Sequence, residues 1–191
     1  MTIIKIKKYP VVAIIGRTNV GKSTLFNKII EKSKALTSAV PGTTRDVLYG
    51  TPIWRGKTFA IVDTAGLDIE ERGELERNVL RQVERAKTEA KIILFVLDLQ
   101  VGIMQEDRKL IQELMNQKKP FLVIANKADN KKMRDLLNTK EWLNLPLKNI
   151  IPVSAKNGSG VGDLLDEIYK ILKKIKVRLP AIKEEKRINV S

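Results

Sequence analysis

The densest chemistry in this chain lies in GRTNVGKST, Gly16 to Thr24, which fits the pattern G-x-x-x-x-G-K-[ST]. Glycines at those spacings let the backbone wrap closely around an anion and offer N–H donors unobstructed by side chains. Gly16, Arg17, Thr18, Asn19, Val20, Gly21, Lys22, Ser23 and Thr24 together read as a phosphate cradle. In it Lys22 neutralises the β and γ phosphates of a nucleotide, and the Ser23 hydroxyl ligates Mg²⁺. A glycine turn with a solvated lysine is the plainer alternative. The apolar run before the motif and the amphipathic stretch after it argue against that alternative, because they supply the strand and helix a cradle requires.

A phosphate cradle does not separate ATP from GTP, so the base needs its own recognition. In FLVIANKADN, the run Asn126-Lys127-x-Asp129 follows a predicted strand. The Asp129 carboxylate is acceptor-only and suits the N1–H and 2-amino donors of guanine, which adenine lacks at that edge. Asn126 reaches toward the purine N7 side, and the Lys127 stem covers the ring face. A third piece, PVSAKNG, supplies Ser154, Ala155 and Lys156, with the Ala155 N–H directed at guanine O6. Each of these last two stretches, taken alone, is only a loop or a turn.

IVDTAG ends a predicted strand in Asp63 and continues through the small residues Thr64, Ala65 and Gly66. Asp63 is expected to hold Mg²⁺ through water, and the Gly66 N–H to sense the γ phosphate. LFVLD also ends in an aspartate, Asp98, which reads instead as a loop residue capping the next turn. VPGTTRDV offers the Thr43 and Thr44 hydroxyls for the remaining magnesium position, with a proline-glycine turn as the alternative. The residue after Gly66 is Leu67, which cannot orient a water as a glutamine there would, so catalytic help must come from elsewhere or be absent. The acidic residues Glu70, Glu71 and Glu74 do not fill that role. Leu75, Val79, Val83 and Ala86 recur at helical spacing, which assigns the charges to a solvated helix face.

These motifs must be held at strand ends, and the 191 residues suffice for one ordinary domain with tails. The class is α/β, with six strands in a mostly parallel sheet, one antiparallel edge strand, and helices on both faces. Strands are expected near Val11–Ile15, Val47–Trp54, Thr58–Val62, Ile92–Leu97, Phe121–Ala125 and Ile151–Val153. The second and third are separated by RGK and read as a hairpin at one edge. Helices are expected to begin near Lys22, Gly73, Gln105, Lys131 and Gly160. The last should bury Leu164, Leu165, Ile168, Ile171, Leu172 and Ile175 on one face. Residues 1–175 form the domain, and 176–191 turn basic and proline-punctuated, as a linker does.

With no cysteine and no histidine, disulfides, thiolate nucleophiles, Cys/His zinc sites and imidazole bases are all excluded. The net charge of +14 favours contact with polyanions, foremost ribosomal RNA, with a merely solvated basic surface as the plainer alternative. No apolar run approaches the ~20 residues of a membrane span, and the start lacks a secretory signal, so the cytoplasm is the expected location.

Assembled, GRTNVGKS, PGTTRD, DTAG, NKAD and SAK resemble the motif set of the translation-factor-like GTPases, in the branch containing TrmE, Era and EngA. YPVVAIIGRTNVGKSTLFNKI, VPGTTRDVLYG and DTAGLDIEERGELERNVLRQVERAKTEAKIILFVLD are similar to the first G domain of the bacterial double-GTPase family EngA, also called Der, over about residues 9 to 175. Thr18 stands where that family usually has proline. The resemblance implies a P-loop NTPase fold of the Ras-like kind and GTP hydrolysis to GDP. It also implies a second G domain, a KH-like domain, and a role in assembly of the large ribosomal subunit. Because EEKRINVS resembles the run into the second G domain, the chain is expected to be a fragment ending there.

For the magnesium position the resemblance prefers Thr44 over Thr43. It further implies stimulation by K⁺, since family members with a hydrophobic residue after DTAG bind that ion through the cradle asparagine, here Asn19. Asn19, Lys22, Thr44 and Gly66 are then the catalytic set. A loop-shaping role for Asn19 stays open, as do two other functions. One is a guanine-nucleotide-dependent module that binds RNA or a partner with negligible turnover. The other is the G domain of a tRNA-modification GTPase, disfavoured because the cradle lies so near the start of the chain.

Overall fold

The run Ile92–Leu97 is apolar at every position, and each of its residues is buried. A strand can bury every side chain only when both faces of its sheet are covered. The computed structural model describes residues 9–33, 48–63, 88–117, 119–147 and 149–180, and in it this run is β6, Ile92–Asp98. Ile92, Leu94 and Val96 join one core cluster, while Ile93, Phe95 and Leu97 join another, as the alternation of a strand requires.

The other strands are β1 (Val11–Ile15), β2 (Leu48–Gly50), β3 (Ile53–Trp54), β4 (Lys57–Thr58), β5 (Ala60–Asp63), β7 (Phe121–Asn126) and β8 (Ile150–Pro152). Among the described residues, six of these eight strands form one sheet in the order β2-β5-β1-β6-β7-β8. Only β2, at the edge, runs antiparallel, and all the other pairings in that sheet are parallel. The helices are α1 (Lys22–Lys32), α2 (Gln105–Asn116), α3 (Lys131–Asp135), α4 (Lys140–Leu143) and α5 (Val161–Lys174). On one face of the sheet, α1 and α5 pack Leu25, Phe26, Ile29, Leu164, Leu165, Ile168 and Leu172 against the strands. On the other, α2 contributes Ile111 and Leu114, and α4 contributes Trp142. The chain therefore has the α/β sheet expected of it, with helices on both faces. None of the described helices is long and apolar enough to cross a membrane.

Three boundaries differ from the sequence reading; in one, the predicted strand Thr58–Val62 is divided between β4, in a two-stranded sheet, and β5, in the main one. The predicted strand Val47–Trp54 is divided between β2 and β3, because Pro52 has no N–H to continue a ladder. Ile175, assigned to the buried face of the last helix, lies beyond its end and is 37% exposed. The helix predicted from Gly73 lies outside the described residues.

β3 and β4 pair with each other as a separate two-stranded sheet, turning at Arg55 and Gly56, whose φ values of 50° and 70° suit a tight hairpin. The tip is fastened to α5. Trp54 Nε1 donates to Asp166 Oδ1 at 2.6 Å, while Arg55 Nε and Nη2 donate to Oδ1 and Oδ2 at 2.8 and 2.7 Å. Beside it, Thr58 N donates to Pro180 O at 3.2 Å, so the hairpin also holds the chain leaving α5.

The Arg55 hydrogen bond, and next the Trp54 bond, hold the Asp166 carboxyl down at about 2 from an ordinary 3.8. A folded value below the unfolded one means the stabilisation is complete above about pH 5 and is lost as pH falls toward 2. Asp166→Asn should therefore melt below the wild type at neutral pH, with the gap closing as the pH of calorimetric scans is lowered through that window. A gap of constant size across it contradicts this account.

Candidate functional site

All the parallel strands of the main sheet point their C-terminal ends the same way, which is where ligands of open α/β sheets bind. The described parts of the predicted motifs, namely the cradle, Asp63, Asn126 to Asp129 and Ser154 to Lys156, occupy that edge. The cradle leaves β1 at Gly16, whose φ of +150° is accompanied by close packing: a Cβ there would lie 2.4 Å from the Val96 carbonyl oxygen. Val20 is buried beneath the loop, whereas Thr18, Asn19, Ser23 and Thr24 are exposed. Lys22 is 4% exposed, and its Nζ donates to the Gly16 and Arg17 carbonyls, each at 2.7 Å. The loop's own backbone thus holds the Lys22 ammonium.

Asn19 takes a left-handed conformation with φ of 65°, so it does shape the loop. Its amide, however, has no hydrogen-bond partner among the described residues, which leaves a neutral oxygen ligand presented at the surface. Asp63 closes β5, is buried, and pairs in register with Ile14, two positions before the cradle. Ser23 and Asp63 supply a hydroxyl and a carboxylate oxygen, the hard donors that suit Mg²⁺. Thr43, Thr44, Thr64, Ala65, Gly66 and Leu67 lie outside the described residues.

Asn126 ends β7 and is 2% exposed. Its Nδ2 donates to Val20 O at 2.8 Å, and its Oδ1 accepts from Ala155 N at 3.0 Å. Both groups, which the sequence reading directs at a purine, have partners inside the fold. They are paired with each other, and the amide bridges the cradle to the loop after β8. Gly21 permits the bridge: at φ of +91°, a Cβ on it would stand 2.4 Å from Asn126 Nδ2.

Asp129 Oδ1 accepts from the Ser154 hydroxyl at 2.5 Å, which fixes the orientation of the carboxylate. The Asn157 side chain donates to Asp129 O at 3.1 Å, and Asn157 N donates to Ser154 Oγ at 3.2 Å. Lys156 is exposed on the same turn. Lys127, with φ of 67°, puts its Nζ 2.5 Å from Asp98 Oδ2. Asp98 caps the next turn as expected, through Oδ1 to Gln100 N and Val101 N at 2.9 and 3.3 Å, but it stands at the strand end itself.

Sequence reasoning missed three contributors. Asn157 supports Asp129, Asp98 anchors Lys127, and Asp107 anchors Arg17 Nε at 2.8 Å. Asp107 had one visible signal, an acidic residue in the first turn of a helix, and that signal reads only as capping.

A family model described as 50S ribosome-binding GTPase matches residues 11–127. A protein named GTPase Der from Aquifex aeolicus is 45% identical over 166 residues, covering 87% of this chain and 38% of that protein. GTPase Der from Amoebophilus asiaticus is 44% identical over 158 residues, covering 83% and 36%. The chain thus spans little more than a third of the length of these relatives. Among solved structures, Era from Aquifex aeolicus bound to GDP·AlF4− aligns with a TM-score of 0.66 at 28% identity, covering 91% of this chain and 57% of that one. Era in complex with MgGDPNP and nucleotides 1506–1542 of 16S ribosomal RNA aligns with the same TM-score and identity, covering 91% and 58%.

The Gly21 contact is directly testable. Gly21→Ala is expected to lower unfolding free energy by about 2 kcal/mol in urea titrations, from left-handed strain and displacement of the Asn126 amide. A midpoint equal to that of the wild type refutes the claim that this glycine is sterically required.

Proposed function

The chain belongs to the family of 50S ribosome-binding GTPases, and we propose that its residues 1–175 are a G domain that binds GTP and hydrolyses it to GDP and phosphate. The observation that carries this reading is the Asn126 amide, which joins the cradle at Val20 to the base loop at Ala155. Such a bridge suits one ligand with phosphates at one end and a purine at the other.

The backbone N–H groups of Gly16 to Thr24 receive the phosphates. Lys22 exchanges the Gly16 and Arg17 carbonyls for anionic oxygens, which make charge-assisted bonds roughly twice as strong. At the other end, Asp129 accepts from guanine N1–H and the 2-amino group, while the Ser154 hydroxyl, donating to Oδ1, keeps the carboxylate turned toward the base. The Lys127 stem covers the ring with its ammonium kept on Asp98, and Asn126, Ala155 and Lys156 line the rest of the base pocket.

Ser23, Asp63 and Thr44 would hold Mg²⁺, and Asn19 would hold K⁺ through its amide oxygen. When bound, the two ions supply neutralisation of the phosphate oxygens and of the charge that develops during transfer. Leu67 has no hydrogen-bonding side-chain atom, so it orients no water. Asn19, Lys22, Thr44 and the Gly66 N–H form the catalytic set, and Thr64 and Ala65 belong to the nucleotide-binding residues between Asp63 and Gly66.

The Der relatives are longer than this chain, and in a longer protein residues 176–191 would lead on to a second G domain and a KH-like domain. The nucleotide state of this domain governs engagement of the large ribosomal subunit and its RNA in the cytoplasm. The charge of +14 supports contact with RNA, and the Era structure holding 16S ribosomal RNA supplies a relative of similar fold that touches ribosomal RNA.

Asp129→Ala should weaken GTP binding by about a hundredfold, because a recognition carboxylate whose guanine partners are left unpaired forfeits about 3 kcal/mol. Equal affinity for GTP in the variant and the wild type, or a wild type that prefers ATP, overturns the proposal. Single-turnover hydrolysis should be faster in K⁺ than in Na⁺, and Asn19→Ala should erase that difference. Equal rates in both salts refute the K⁺ role, and tight GTP binding without turnover in either salt leaves a nucleotide-gated binding module.

A further inference from the structure

Arg17 sits second in the cradle, yet its side chain is committed elsewhere. Its Nε donates to Asp107 Oδ1 at 2.8 Å, across 90 positions of sequence. The Asp107 side chain is fully buried, and the Arg17 side chain is 25% exposed. The other carboxylate oxygen, Oδ2, accepts from Met104 N at 2.9 Å, at the start of α2. Both oxygens are therefore engaged, and the carboxylate has no freedom to turn. The hydrogen bond to Asp107 raises the Arg17 pKa above its ordinary value, against the lowering effect of burial.

This pairing also constrains the Arg17 peptide. Its carbonyl is among the groups that hold the Lys22 ammonium, at 2.7 Å. The residue before it, Gly16, is already wedged against the Val96 carbonyl. One end of the loop is thus fixed by β6, and the next residue is fixed through its side chain by α2. Position errors of about an ångström at a charged site can cost about a hundredfold in rate, so an anchor here matters to function as well as to folding.

We propose that Asp107 is a positioning residue for the phosphate loop, acting through Arg17 to hold the loop backbone and Lys22 in the geometry that receives phosphates. This rests on the reading of Gly16 to Thr24 as the phosphate site. Asp107 contacts no reacting atom. Its effect passes through one side chain.

The test uses the full chain and titration with fluorescent GDP and GTP, together with KM and kcat. Arg17→Ala and Asp107→Asn should each weaken both nucleotides by roughly tenfold, at temperatures where circular dichroism finds the variants folded. The preference for GTP over ITP, which lacks the 2-amino group and so reports on Asp129, should stay as in the wild type. Arg17→Lys should recover part of the affinity, and the double variant should bind no worse than the weaker single variant. Wild-type affinity in both single variants, with only a lower Tm, overturns the proposal, as does a loss confined to the GTP over ITP preference. Lys22→Ala separates the two levels. If it loses binding while the Arg17 and Asp107 variants do not, only this inference fails; if it binds normally, the phosphate-site reading fails as well.

Discussion

A single buried amide holds the two halves of this site in register. Asn126 lies between the cradle and the loop after β8, giving a hydrogen bond to Val20 O and receiving one from Ala155 N. Neither partner has water to fall back on, because Val20 and Ala155 are both buried. A buried polar group left unpaired costs on the order of 1–3 kcal/mol, so the bridge resists opening from either side. The loop that carries Lys22 and the loop whose Ser154 holds Asp129 both bond to this side chain. Gly21 is the complementary constraint, a residue without a side chain where any other would occupy the space of the amide.

The sheet makes that bridge possible. β6 is buried along its whole length, with α2 on one face and α1 and α5 on the other, so the strand ends beside it cannot shift independently. β1, β5, β6, β7 and β8 deliver Gly16, Asp63, Asp98, Asn126 and the Ser154 loop to the same edge. Around this frame runs a set of ion pairs with separate tasks. Asp98 takes Lys127 just after β7, Asp107 takes Arg17 just after β1, and both carboxylates lie within one ten-residue stretch, 98–107.

Most of the sheet was legible from short apolar runs, because a strand covered on both faces leaves a continuous hydrophobic signature that few other elements share. The divided edge strand was less legible: Val47–Trp54 has a strand composition throughout, and only the missing N–H of Pro52 interrupts it. Ile175 had the right helical phase for the core, but phase says nothing about where a helix stops. At the candidate site, Lys22, Asp63, Asn126 and Asp129 were readable as candidates because the proposed chemistry demands those residue types at fixed offsets from strands. What those groups bond to in the fold was not. The Asn126 to Ala155 pairing joins segments 29 residues apart, and the Arg17 to Asp107 pairing joins segments 90 apart.

By itself, then, the sequence determined the α/β class, the candidate phosphate and guanine motifs GRTNVGKST and NKAD, and a chain without imidazole or thiol side chains. All of these rest on residue type and local spacing, which the chain carries before it folds. Only the tertiary structure decided that Asn126 bridges two loops, that Asp129 is steadied by Ser154, that Arg17 is held by Asp107, and that the β3–β4 hairpin is tied to α5 through Asp166. The physical reason is that a hydrogen bond depends on distance and direction between groups. Residues far apart in sequence acquire those only when the sheet and its helices have packed.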